Sequence, residues 1–226
     1  MSLADKLVSS FLAFELDIDI QSPVHSKRTK ALKEFEKLGF PTKKDEAWKY
    51  TSLKSVIKED FTIFSKKKNV LDFKNVKNYF LDNTETYKIV FVDGFFDPFL
   101  SQTSHDGVDI CILSAALTKP VYSKIISKYF DTSINTKDSL SLVNTAFAKE
   151  GVYVHIPKNK ILDKPIEVLH FTTGNEAALM LQPRNLIVVE ENAQVEIIET
   201  HQSLTENPIF TNSVTEIFVG QNAHLD

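Results

Sequence analysis

The sequence predicts an α+β fold: an N-terminal α-helical region, followed by a right-handed parallel β-helix of which only the first coils are present. Three observations carry this. Apolar residues recur at helical spacing through much of the first 150 positions. After Gly151 that period gives way to short β-branched strands between polar breaks. Those strands then repeat an Asn-centred corner at a near-constant interval. The expected division is residues 1–150 for the helical and mixed region and residues 151–226 for the first coils.

Leu3, Leu7, Phe11 and Phe14 form one apolar stripe and predict the first helix. A second is expected through "SKRTKALKEFEKLGF", with Leu32, Phe35 and Leu38 on its inner face. Gly39 ends it, because glycine reaches left-handed φ without a Cβ penalty. In "GFPTKKDEAWKYTSLKSV", Pro41 cannot extend that helix, and Thr42-x-x-Asp45 has the pattern of a capping box. The expectation is a capped short helix that turns Trp48, the one tryptophan, inward as a packing anchor. Lys43 and Lys44 sit where the helix dipole prefers acids, and Asp45 and Glu46 offset them.

"YKIVFVDG" reads as a strand closed by a turn at Asp93-Gly94, and "VDICIL" as another. Within the latter, Cys111 is expected as a small buried hydrophobe. Thr118 is expected to cap a helix starting at Pro120, with Tyr122, Ile125, Ile126 and Tyr129 on one face. A last helix starts near Asp138, groups Leu140, Val143 and Phe147, and is expected to stop at Gly151. Asn144 lies near that face, where a buried amide would bond to backbone.

The strands "VYVHIP", "PIEVLHF", "RNLIVVE", "AQVEIIET" and "SVTEIFVG" follow. "VEENAQVE" at Val189–Glu196 aligns with the later "VGQNAHLD" at Val219–Asp226, and "IPKNKIL" places Asn159 ahead of Asn192 by nearly the same interval. Asparagine tolerates left-handed conformation and suits a tight corner. A sandwich would also supply short strands, but a corner repeated at so regular an interval fits a solenoid better.

Composition narrows the function. The formal net charge is −4, so there is no basic excess to hold a phosphate backbone, which argues against nucleic-acid binding. The run Ser65–Lys68 is expected as a solvated turn. No apolar run is long enough to span a bilayer, and no export signal is apparent, so a cytoplasmic protein without membrane contact is expected. A single cysteine excludes an internal disulfide framework.

The ordered blocks "GFPTKKDEAWKYTSL", "VNTAFAKEGVYVHIPKN", "KPIEVLHFTT", "PRNLIVVEENAQVEIIET" and "TNSVTEIFVGQNAHLD" resemble the SufD family, from about Arg28 onward. SufD is a subunit of the SufBCD iron–sulfur cluster assembly scaffold. The resemblance implies helices followed by a right-handed β-helix, a non-catalytic scaffold role, and two partners, a SufB-like paralogue and a SufC-like ATPase. It also implies that the later coils, the interface residues and the ATPase-binding helices have no counterpart in this chain. No catalytic, cofactor-binding or metal-binding residue is therefore carried over, and no cofactor is expected on this chain alone. Docking of the ATPase is not expected either. The last coil, with Ile217, Val219, Ala223 and Leu225, is expected to form an open end that pairs two copies of the chain as a homodimer.

The remaining residues show little organised chemistry. His25, His105, His155, His170, His201 and His224 have no short metal-ligand spacing. The uneven separations among the last four do not indicate one register, so solvated strand histidines are expected. A carbohydrate-active β-helix enzyme would need paired carboxylates, whereas Glu190 and Glu191, like Glu196 and Glu199, are expected to face apart. A hexapeptide acyltransferase would need frequent glycine, and the chain has six. No phosphate-binding loop of ATPase type is present. A stand-alone interaction module is the other reading, separated from the SufD-like one by the identity of its partner.

Overall fold

The computed structural model describes residues 2–22, 24–63, 65, 68–82, 84–103, 107–134 and 138–226. His105, Lys66 and Lys67 lie outside the described residues. Helix α1 (Leu3–Glu15) begins at Ser2, whose hydroxyl accepts from the Asp5 N–H while the Asp5 carboxylate accepts from the Ser2 N–H. It buries Leu3, Leu7, Phe11 and Phe14, the stripe read from the sequence. Helix α2 (His25–Leu38) ends as expected, with Gly39 at φ 68° and its N–H donating to the Phe35 carbonyl. Its buried face, however, is Arg28, Ala31 and Phe35; Leu38 is exposed. Arg28 can go inside because its guanidinium donates to the Ala148 carbonyl at 2.6 Å.

The segment after Gly39 departs further from expectation. Asp45 accepts from the Thr42 N–H at 2.7 Å, but Thr42 Oγ1 accepts from the Lys44 N–H, not from that of Asp45. No α-helix follows, only a 3₁₀ turn at Glu46–Trp48. Trp48 is half-buried and Tyr50 is exposed, so the tryptophan is not the core anchor the sequence suggested. A second 3₁₀ turn (Val56–Lys58), the short α3 (Phe73–Val76) and a third 3₁₀ turn (Lys77–Tyr79) lead to the sheets.

β1 (Tyr87–Val92) turns back on β2 (Phe95–Phe96) through Asp93 and Gly94, both at positive φ, as an antiparallel hairpin. β3 (Asp109–Ile112) carries Cys111, which is half-buried, and burial pushes its thiol up to about 11. Thr118 does not cap the following helix: it ends α4 (Leu113–Thr118), and α5 (Pro120–Tyr129) starts after Lys119 with proline in its first turn. α6 (Ser139–Phe147) is capped by Asp138, which accepts from the Ser141 N–H. It ends at Phe147, before Gly151, and buries Val143 and Phe147 while Leu140 is only half-buried. Asn144 is fully buried and donates to the carbonyls of Pro183 and Asn212, both at 2.8 Å, the backbone-bonding role expected for it.

The remaining elements are β4 (Val152–Ile156), β5 (Ile166–Thr172), β6 (Leu179–Leu181), β7 (Arg184–Val189), β8 (Gln194–Val195), β9 (Ile197–Ser203), β10 (Ile209–Thr211), β11 (Val214–Val219) and β12 (His224–Leu225). They stack in parallel: Tyr153 pairs with Leu186, Leu186 with Glu216, Ile166 with Ile197, Leu179 with Ile209 and Gln194 with His224. In each of these ladders the partner stands 30 to 33 residues further along the chain, close to the spacing of the Asn corners. One sheet has the order β2-β1-β5-β9 and another β11-β7-β4-β3, so β1 and β3, from before residue 150, complete sheets formed by later strands.

The Asn corners hold as read. Asn159, Asn192 and Asn222 have φ of 62°, 56° and 54°. Their side chains form a ladder, Asn192 Nδ2 donating to Asn159 Oδ1 at 3.0 Å and Asn222 Nδ2 to Asn192 Oδ1 at 3.3 Å. Between the two larger sheets lies an apolar core that includes Ile89, Phe91, Val154, Ile156, Val168 and Ile187. The N-terminal helices pack a second core, with Phe11, Phe14, Phe35 and Phe147 at its centre.

Candidate functional site

Alternation along β5 turns Ile166, Val168 and His170 to the face that packs between the sheets. Parallel pairing then fixes what stands beside each one. Ile89, Val168 and Glu199 are register partners on β1, β5 and β9, and Phe91, His170 and His201 are the next set along the same strands. The inner face thus changes from apolar on β1 to one histidine on β5 and to a glutamate with a histidine on β9. The rings stack: Phe91 on His170 at 4.9 Å and 9°, His170 on His201 at 4.3 Å and 3°.

Glu199 lies between the two imidazoles. Its Oε1 is 3.3 Å from His170 Nε2 and 3.1 Å from His201 Nε2. Asn185 Nδ2 donates to both of its oxygens at 3.2 and 3.3 Å and to Thr215 Oγ1 at 3.1 Å, while Asn185 Oδ1 accepts from the Val152 N–H. The carboxylate is therefore positioned from the opposite sheet. Burial works against its charge, but His170 and His201 outweigh that and hold Glu199 well below the usual carboxylate range. His170 is 6% exposed. Burial pushes its pKa down, against the opposing pull of Glu199. Its Nε2 is covered by protein and lies 3.3 Å from Glu199 Oε1 without a well-formed hydrogen bond. Both histidines also line a cleft of about 150 Å³ together with Gly94, Leu181, Pro183 and Thr211.

This arrangement corrects the expectation for His170, which is buried and in register with His201, while His201 and His224 are exposed as expected. The step from His170 to His201 is one stacking interval on this sheet, and it brings the rings into contact. His155, on β4, falls on the other sheet. It too is buried, with Nδ1 3.2 Å from Asp109 Oδ2 and Nε2 3.1 Å from Glu190 Oε1. His25 lies 3.3 Å from Glu15, and His224 is exposed on β12. Glu190 and Glu191 follow β7 in the turn, not a strand: Glu190 accepts from the Lys158 N–H and contacts His155, while Glu191 pairs with Lys158 Nζ at 2.8 Å.

Sequence comparison places the chain among known proteins. A family model described as the SufBD protein N-terminal region matches residues 6–168, and one described as the SUF system FeS cluster assembly SufBD core domain matches residues 170–226. The chain is similar to an iron–sulfur cluster assembly SufBD family protein of Synechocystis, 30% identical over 99% of this chain and 53% of the relative. It is also similar to the iron–sulfur cluster assembly protein SufD of Escherichia coli, 25% identical over 86% of this chain and 43% of that protein. The chain thus spans about half the length of these curated relatives. With both family regions matched in order over nearly its whole length, the chain belongs to the SufBD family.

Proposed function

We propose that this chain is part of a SufD-like, non-catalytic scaffold subunit for iron–sulfur cluster assembly. The observation that carries the reading is the ordered match of the N-terminal and core SufBD regions. The parallel ladders, with their near-constant offset and stacked Asn corners, support a right-handed β-helix from residue 151 onward, preceded by the helical and mixed region 1–150. Its partners in this reading are a SufB-like paralogue and a SufC-like ATPase, and the place of work is the cytoplasm. Among the described residues, no helix is long and apolar enough to cross a membrane. Ile217 and Val219 are each about half exposed on β11 and suit a further strand stacked upon them, from the same protein or from another copy.

The test is to co-express the full protein containing this chain with the SufB-like and SufC-like proteins of the same organism. A single co-eluting complex is expected, and loss of this subunit should lower iron–sulfur loading of client enzymes. Elution as a separate species in every combination, with client loading unchanged by its loss, would sink the proposal.

A further inference from the structure

We infer that His170, Glu199 and His201 form a binding site for one first-row divalent transition cation, of the Zn²⁺ or Fe²⁺ class. The inference stands on side-chain geometry and does not depend on the scaffold reading. The three side chains can each present one ligand atom, and these atoms all lie within 4.8 Å of one another. Metal–ligand bonds of about 2.0–2.1 Å at a tetrahedral centre set donor atoms about 3.3 Å apart. The carboxylate oxygen stands 3.3 and 3.1 Å from the two imidazole nitrogens, close to that edge length.

The second observation is His170 itself. An imidazole nitrogen covered by protein and left without a hydrogen bond is costly unless something occupies its lone pair. That nitrogen stands 3.3 Å from Glu199 Oε1, and a cation bound by the two would satisfy both groups. Two imidazoles and a carboxylate suit zinc, iron, cobalt or nickel and not magnesium or calcium, which prefer all-oxygen shells. Asn185 supplies the outer hydrogen bonds that ligating carboxylates ordinarily have, and it reaches Glu199 from β7 across the core. The rings are nearly parallel in the stacked state, so binding requires them to splay until both lone pairs converge. The half-exposed His201 ring has room to do so. The adjoining cleft leaves space for water at the remaining positions.

The test uses the untagged chain, stripped with chelator and titrated with Co²⁺, whose visible absorption reports coordination. One equivalent should bind with tetrahedral-type bands, and Zn²⁺ should abolish them. Glu199→Gln and His201→Gln should each weaken binding by about tenfold or more, whereas His224→Gln should leave it unchanged. Because these variants could disturb β9, the wild-type chain is also examined by NMR. Bound Co²⁺ should shift or broaden the ring protons of His170 and His201 and leave those of His224 sharp. Absence of saturable binding, equal affinity in all three variants, or paramagnetic effects centred on other histidines would overturn the inference.

Discussion

Arg184 is wholly buried, and its guanidinium is surrounded by oxygen acceptors. It contacts Glu216 Oε2 at 2.6 Å, Thr145 Oγ1 at 3.1 Å, Asn144 Oδ1 at 3.2 Å and Asp131 Oδ1 at 3.3 Å, over the Phe130 ring. Burial raises the Glu216 pKa, but the Arg184 charge more than reverses this and keeps the carboxylate ionised. Removing one partner would leave a buried charge without compensation, which typically costs about 3–5 kcal/mol. Arg184→Ala should therefore destabilise the chain by about that much in denaturant melts; a loss below about 1 kcal/mol would contradict the account. Glu150 shows the opposite case. It accepts from Ser114 Oγ at 2.9 Å through each oxygen, but burial pushes its carboxyl up to about 7 from the ordinary 4.5. Between those values the folded chain holds a proton that the unfolded chain releases. The Glu150 contribution to stability is thus greatest below 4.5 and falls as pH rises through about 7, by about 3 kcal/mol in all. Glu150→Gln should be more stable than the parent near pH 8 and nearly equal to it near pH 4.5. A difference independent of pH would refute this.

Among the elements, the corners make the sharpest case. Asn192 holds φ 56° and bonds into the ladder with Asn159 and Asn222. Alanine pays about 1–2 kcal/mol for left-handed backbone and also loses a hydrogen bond worth about 1 kcal/mol. Asn192→Ala should therefore cost about 2–3 kcal/mol, and Asn192→Gly about 1 kcal/mol, because glycine removes the backbone penalty. Equal losses for the two substitutions would show that φ is not what selects asparagine. The corners were legible in the sequence because a left-handed bend is a local preference, set by one residue and its neighbours. The Trp48 segment was not. Half of its capping pattern forms, the Thr42 N–H donating to the Asp45 carboxylate, yet a first turn alone does not propagate, since nucleation is unfavourable without packing to support the turns that follow.

For the whole molecule, the join between helices and sheets rests on Gly151. It has φ 154°, and a Cβ built there would lie 1.9 Å from the Arg184 carbonyl oxygen. The approach is set by stacking, since the start of β4 lies alongside the start of β7. A backbone atom cannot rotate away as a side chain can, so relief requires the strands to part. Gly151→Ala should destabilise by about 3 kcal/mol or more and depress the thermal midpoint of the entire chain, not of one region. A near-normal midpoint would mean that the junction can open without cost. The same stacking makes the fold cooperative, because β1 is held by β5 and β3 by β4, strands that come much later in the chain.

What the sequence determined by itself is whatever depends on a few neighbouring residues. The α1 stripe, the Gly39 stop, the Asp93-Gly94 turn and the Asn corners all belong to that class. Local dihedral preference and side-chain period act over one or two turns of chain. The tertiary structure decided which polar groups go inside and which of them meet. Arg28 replaces Leu38 on the inner face of α2 because a carbonyl from Ala148 awaits it. His170 meets His201 and Glu199 because β5 and β9 stack with His170 opposite His201. The ladders β4 with β7 and β7 with β11 do not share that offset. A shift of one residue reverses the face of every side chain in a strand. A roughly regular spacing therefore could not show by itself which histidines share a face, and the paired strands fixed it.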